Sequence, residues 1–84
     1  MKIEKTAGIG EVVRLTGVSE KQLRYWQEAG YIKPERVVCG DRAYRRYTEY
    51  DIAMITIIKN KLKEGFNLSN AARIAKEIME GVTK

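Results

Sequence analysis

The amino-acid sequence predicts one mainly α-helical domain in which about four short helices are interrupted by a small β-hairpin. Apolar residues recur at helical spacing in four segments, which glycines and polar stretches separate. From Arg36 to Tyr47 the residues instead alternate around Gly40-Asp41, a pair suited to a two-residue turn. A chain of 84 residues has room for one hydrophobic core, so we expect residues 1–84 to form a single domain.

The first two predicted helices have the spacing of a helix-turn-helix. Gly17 ends the first helix, whose inward stripe is Ile9, Val12, Val13 and Thr16. Ser19 starts the second, because its hydroxyl can cap a helix and Gln22 stands three residues on to complete a capping box. Gly30 is placed to end this helix in the left-handed conformation. About three residues therefore join the two helices, as in helix-turn-helix proteins.

The third and fourth helices are predicted from a capping pair and a long apolar stripe. Thr48 and Asp51 can cap the third helix. The β-branched run at 55–58 is also typical of a strand, but the cap and the length of the segment favour a helix. The fourth helix begins near 67–69 and keeps its stripe almost to the last residue. Near 76–84 we therefore expect the start of a dimerisation helix or of a helix that docks on a partner. On this interpretation the sequence is either an excised domain or a naturally minimal protein.

The composition favours an anionic partner and argues against catalysis. Sixteen lysines and arginines against eleven acidic residues give a net charge of +5 and a pI near 9.5, a balance that favours nucleic acid. The sequence has no histidine, and Cys39 alone can form neither an internal disulfide nor a cysteine-based metal site. We expect no enzyme activity, no metal and no cofactor, with Cys39 incidental; a redox-sensing thiol is the alternative.

The sequence gives no sign of a membrane segment or a secretory leader. It has no apolar run of membrane-spanning length, and residues 1–8 lack the apolar centre of a signal peptide. We therefore expect a cytoplasmic location and no membrane partner.

The exposed face of the second helix is the first candidate site. If Leu23 and Trp26 face the core, the opposite side carries Lys21, Arg24, Tyr25 and Glu28 at helical spacing. In the major groove of DNA, lysine or arginine can bond guanine edges, and a tyrosine hydroxyl can hold a phosphate. A merely solvated helix face fits this stripe equally well.

The predicted hairpin is the second candidate site. Four arginines, Arg36, Arg42, Arg45 and Arg46, outnumber Glu35 and Asp41, and Tyr44 and Tyr47 lie among them. Such a ribbon can follow a phosphate backbone, although charge also keeps ordinary edge hairpins soluble. Its position directly after a helix-turn-helix favours contact with DNA.

A cluster of apolar and aromatic residues could be taken for a ligand pocket. The spacing of Tyr47, Ile52, Phe66 and Leu68 is more typical of a core, so we assign no small-molecule site.

Several short motifs resemble a known family. They are Ile9-Gly10-Glu11-Val12, Gly17-Val18-Ser19, Leu23-Arg24-Tyr25-Trp26, Gly30-Tyr31-Ile32-Lys33-Pro34, Tyr44-Arg45-Arg46-Tyr47-Thr48 and Asp51. In this order and spacing, the motifs resemble the N-terminal domain of MerR-family transcription regulators. The resemblance runs from Ile9 to about Ile78. Two departures are Trp26, where the family often has tyrosine, and Ala43, where it often has glycine.

The resemblance implies a winged helix-turn-helix, with a first wing at 36–47 and a second wing around 65–68. It implies recognition-helix contacts for Arg24 and Tyr25. It also implies contacts with the DNA backbone for the wing residues Tyr44, Arg45 and Tyr47. Family members dimerise through a long helix after this domain, so a homodimer is implied for a full-length protein.

The sequence therefore predicts sequence-specific binding of double-stranded DNA at a promoter or operator, in transcription regulation. One alternative is an architectural DNA binder, of the excisionase-like or chromosome-anchoring kind. Another is a protein-interaction module whose basic surface serves only solubility. Bending of DNA without effect on a promoter favours the former, and absence of duplex binding at low salt favours the latter.

Overall fold

A computed structural model describes residues 6–82 of the chain. Its elements, in order, are α1 (Ile9–Thr16), α2 (Glu20–Glu28), β1 (Glu35–Cys39), β2 (Arg42–Arg46), α3 (Glu49–Lys63) and α4 (Leu68–Val82). This order confirms the predicted mainly α-helical fold with one hairpin. Within the described range, no helix is both long and apolar enough to cross a membrane.

The turn between α1 and α2 is closed by hydrogen bonds and by one glycine. Gly17 has a φ of 76°, the left-handed conformation that other residues rarely adopt. The buried hydroxyl of Thr16 donates to the carbonyl of Val12 at 2.7 Å and accepts from the backbone N–H of Val18 at 3.2 Å. From α3, the Lys59 ammonium donates to the Thr16 carbonyl at 2.6 Å. These bonds fix the angle at which α2 leaves the turn.

The predicted capping residues of α2 and α3 make their bonds. Ser19 and Gln22 form a complete capping box at α2, and Thr48 and Asp51 form one at α3. Gly30 has a φ of 86° just after α2, as the sequence predicted. Residues 55–58, which could have formed a strand, lie within α3. Local signals therefore fix both helix starts.

The core lies where all four helices meet. Its buried apolar residues are Ala7, Val12, Val18, Leu23, Trp26, Ile32, Tyr47, Met54, Ile55, Ile58, Ala71, Ala72 and Ala75. Ile52 and Leu68 pack against this core as predicted. The prediction for Phe66 was wrong: its side chain is exposed, beneath the Lys61 ammonium at 5.8 Å from the ring centre. Phe66 lies in the turn between α3 and α4, where its side chain is exposed to solvent instead of packing between the helices.

The hairpin projects from the domain and is anchored at its base. Strands β1 and β2 are antiparallel, with Cys39 opposite Arg42 across the two-residue turn and Glu35 opposite Arg46 at the other end. Tyr47 and Ala7 exchange two backbone hydrogen bonds of 2.8 and 2.9 Å. All of β1 is exposed to solvent. The hairpin therefore adds little to the core and presents most of its side chains outward.

Candidate nucleic-acid interface

The outward side of α2 is a shallow surface, which we call the recognition face. It is lined by Glu20, Lys21, Arg24, Tyr25 and Glu28, all of them exposed. Leu23 and Trp26 are buried on the opposite side, so the predicted division of the helix is confirmed. The face carries two cations, two carboxylates and one phenol.

Arg24 is held by a neighbour on the same helix. Its Nε and Nη2 atoms both donate to Oε2 of Glu20, at 3.1 and 2.7 Å. The two residues lie four apart, the spacing at which helix side chains meet. Each side chain is about half exposed, 51% for Arg24 and 50% for Glu20. The Arg24 guanidinium is thus oriented while it remains open to solvent.

A side-chain hydrogen bond joins the hairpin to α2. Nε of Arg45, on β2, donates to Oε1 of Gln27 at 2.6 Å, and this contact is partly buried. Since Gln27 belongs to the same helix as the recognition face, the bond links the hairpin to that face. The two candidate sites are therefore parts of one connected surface.

The register divides the predicted hairpin residues between its two faces. Successive side chains of a strand point to opposite sides, so Arg36 shares a side with its partner Arg45. Arg42, Tyr44 and Arg46 share the other side. Alternation within β2 separates Arg45 from Arg42 and Arg46, and the register adds Arg36 to the side of Arg45, so the four arginines do not form one row.

The Arg46 side chain forms hydrogen bonds within the domain. Its Nε donates to the Thr6 hydroxyl at 2.9 Å, and its Nη2 donates to the Thr6 carbonyl at 3.0 Å. These partly buried bonds tie the base of β2 to the segment before α1. The side chains of Arg36 and Arg42 are exposed and make no hydrogen bond or ion pair within the described residues. Those two are the readily available hairpin cations, with Arg45 anchored between hairpin and helix.

Tyr47 belongs to the core rather than to the surface. Its side chain is 0% exposed, and its hydroxyl is a buried polar atom without a hydrogen-bond partner. Burial raises the pKa of Tyr47 above its ordinary value of 10.0, because the phenolate cannot be hydrated there; the nearby charge of Arg45 opposes this increase. A fully buried ring cannot reach a DNA phosphate in this conformation, which corrects the surface role that the family resemblance implied. Tyr44 is exposed and stays available.

Two residues of this surface were not singled out from the sequence. Glu20 could have been found, since it precedes Arg24 by four positions within one helix. Gln27 could not, because it bonds a residue 18 positions away that only the fold brings near.

The structure offers no metal centre in its described part. No group of three or more cysteine, histidine or acidic residues between 6 and 82 is arranged to hold an ion. Cys39 is an exposed free thiol at the hairpin turn.

Comparisons with known proteins agree with this geometry. Residues 8–78 match the MerR HTH family of regulatory proteins. The chain is 34% identical over 80 residues to the HTH-type transcriptional repressor CarH of Myxococcus xanthus, covering 94% of this chain and 26% of CarH. It is 31% identical to the HTH-type transcriptional regulator TnrA of Bacillus subtilis, covering 95% of this chain and 83% of TnrA.

A solved structure has the same fold. The crystal structure of a MerR-family transcriptional regulator from Bacillus cereus superposes with a TM-score of 0.74 at 26% identity, covering 83% of this chain and 51% of that one. The named relatives are transcription regulators, although this chain spans only about a quarter of CarH. The motifs, the winged helix-turn-helix fold and the match over residues 8–78 place this chain in the MerR family of DNA-binding transcription regulators.

Proposed function

We propose that the chain binds double-stranded DNA sequence-specifically, with α2 in the major groove and the β1–β2 hairpin along the sugar-phosphate backbone. The observation that carries this proposal is the bond between Gln27 and Arg45. It holds a helix of groove-fitting size and an arginine-bearing hairpin in one surface. A helix that reads bases beside an element that contacts phosphates is a common arrangement for DNA recognition.

The charges on α2 and on the hairpin suit different roles in binding DNA. On α2 two cations are balanced by two carboxylates, whereas the hairpin has four arginines against two acidic residues. Phosphate contacts give affinity and salt dependence, while contacts with base edges give sequence preference. We therefore assign base reading to Lys21 and Arg24, and phosphate binding to Tyr25 and chiefly to the hairpin.

The pairing of Arg36 with Arg45 supports phosphate binding on one side of the hairpin. Like charges directly opposite each other destabilise a strand pair. A phosphate placed between the two guanidiniums relieves this repulsion, because it bonds to both. On the other side, Arg42 and Tyr44 are exposed and can meet the backbone as the hairpin lies against it.

In a full-length protein we propose that two such domains act as a homodimer on a promoter or operator, in the cytoplasm. A two-fold protein pairs with a two-fold DNA site, so each domain meets one half-site. The family resemblance supports this assembly, and so does the apolar stripe of α4, on which Ile78 is exposed. The part of the predicted docking segment at 83–84 lies outside the described residues.

Selection from a pool of randomised duplexes, followed by binding titrations, tests the proposal. We expect enrichment of one sequence, with affinity for that duplex well above that for a scrambled one at the same salt concentration. Bending of all duplexes alike, with no enriched sequence, supports the architectural alternative instead. Absence of any duplex binding at low salt supports the protein-interaction alternative.

A further inference from the structure

The contact between Glu20 and Arg24 leaves one end of the arginine free. A guanidinium has five N–H donors. Two of them, on Nε and Nη2, point at a single oxygen of Glu20. The remaining donors lie on Nη1 and on the outer side of Nη2, which is the end that faces away from the carboxylate. Two parallel N–H bonds from this end match the paired acceptors of a guanine edge.

The carboxylate also changes which DNA groups Arg24 attracts. A guanine edge carries only partial charges, so a carboxylate beside the arginine weakens this contact less than it weakens a contact with a full anion. A phosphate is an anion and is repelled by Glu20 at close range. Because Arg24 is already paired at 2.7 Å, its net attraction for phosphate is reduced. The pair therefore favours a base contact over a backbone contact.

We propose that Glu20 is a specificity-determining positioning residue, which orients Arg24 toward a guanine edge and weakens binding to DNA that lacks one. The inference rests on the proposed function, in which α2 enters the major groove. Glu20 itself need not touch DNA; it acts through the arginine. An ordinary surface ion pair would steady the helix slightly and leave sequence discrimination unchanged, and this difference makes the proposal testable.

The recognition face supplies a matched control. Glu28 carries the same charge on the same helix face, and its carboxylate makes no hydrogen bond or ion pair with the Arg24 side chain. Glu28→Gln thus removes one negative charge without disturbing the arginine. Glu20→Gln removes the charge and weakens the contact, whereas Glu20→Asp keeps the charge and shortens the reach. The three variants separate charge from position.

The experiment measures affinity of the 84-residue chain for the selected duplex and for a scrambled duplex, over a range of salt concentrations. We expect Glu20→Gln to lower the ratio of specific to non-specific affinity by at least about fivefold, the lower end of what one bidentate base contact contributes. Glu20→Asp should lower the ratio as well, with a salt dependence like that of the unaltered chain. Glu28→Gln should strengthen binding to both duplexes and leave the ratio unchanged.

Three results would overturn the inference. If Glu20→Gln leaves the ratio unchanged, the pair is only a surface ion pair. If Glu28→Gln lowers the ratio as much as Glu20→Gln does, the effect is one of general charge. If the unaltered chain shows no preferred duplex, the proposed function fails and the role of Glu20 fails with it. Thermal unfolding of each variant should show no loss of folding, since both glutamates are exposed.

Discussion

Arg45 on the hairpin donates a hydrogen bond of 2.6 Å to Gln27 on α2, and so joins the wing of the domain to its recognition helix. The bond is partly buried and uses only Nε, so the Nη atoms of Arg45 remain for other partners. Opposite Arg45 in the sheet lies Arg36, a second cation. The hairpin has no buried residue in β1, so this contact and the bonds at its base fix its direction.

Gln27→Ala tests whether this contact positions the wing for DNA. We expect weaker binding of the selected duplex with the fold intact, because Arg45 loses its anchor while its charge remains. The salt dependence should therefore be unchanged. A double-mutant cycle with Arg45→Ala should show coupling in DNA binding of roughly 0.5 to 3 kcal/mol. Strict additivity of the two changes would show that the bond has no role in binding.

Arg45→Ala tests the assignment of phosphate binding to the hairpin. Affinity for the selected and scrambled duplexes should fall alike, since a phosphate contact carries no sequence information. The slope of log affinity against log salt should become shallower by roughly one unit per contact removed. Arg14→Ala is the control, because it removes an exposed cation from α1, outside the proposed surface. A selective loss for one sequence, with the slope unchanged, would argue against the assignment.

Gly17→Ala tests the turn that sets the angle of α2. The φ of 76° disfavours any side chain, and an added Cβ would lie 2.9 Å from the Lys59 ammonium, which bonds the Thr16 carbonyl. We expect the free energy of unfolding in urea to fall by about 1 to 2 kcal/mol. Gly10→Ala is the control: it lies in α1 with no atom within 4 Å of the new Cβ, so stability should be unchanged or higher. Equal effects at both positions would contradict this account of the turn.

Tyr47→Phe tests the buried, unpartnered hydroxyl. Its removal should raise the free energy of unfolding by about 1 kcal/mol, because an unsatisfied polar atom leaves the core. Tyr44→Phe, at an exposed hydroxyl, should leave the free energy of unfolding unchanged.

Tyr47→Phe should also alter the dependence of stability on pH. Burial raises the pKa of Tyr47 in the folded protein, so the unfolded chain releases this proton first as the pH rises above 10.0. The stability that the neutral Tyr47 phenol contributes is complete below this pH and is lost as the pH rises above it. Tyr47→Phe has no phenol to titrate, so its free energy of unfolding should decline less at high pH. DNA binding should not change. A clear loss of affinity would show that the Tyr47 hydroxyl contacts the DNA backbone in the complex, as the family resemblance implied.

Local signals in the sequence predicted the helices and the hairpin well. Capping pairs such as Ser19 with Gln22 act within one turn of helix, so sequence spacing reveals them. The resemblance to the family supplied the winged fold, which the structure confirms. The prediction for Phe66 was wrong because an apolar residue in a turn need not face the core.

The arrangement of the candidate site depended on contacts between distant residues. Arg46 stays a prediction for DNA binding, and the sequence did not reveal that its side chain also bonds Thr6, 40 positions away. Tyr47 stands at the end of a charged strand, where the alternation suits either a surface or a core residue, and only the packing of the helices decides. Alternation along β2 places Arg45 on the face opposite Arg42 and Arg46, and the register, which the two-residue turn sets, places Arg36 beside Arg45.

The most direct test of base reading by α2 is the ratio of specific to non-specific affinity for Arg24→Ala, measured at fixed salt beside a thermal melt. Arg24 is exposed and points away from Leu23 and Trp26, so the melting temperature should not change. Loss of a bidentate guanine contact should reduce the difference in binding free energy between the specific and the non-specific duplex by about 1 to 3 kcal/mol. It should also relax the preference at one base pair. A preserved ratio, with both duplexes weakened equally, would reduce Arg24 to a backbone contact, and a collapsed melt would make it a structural residue.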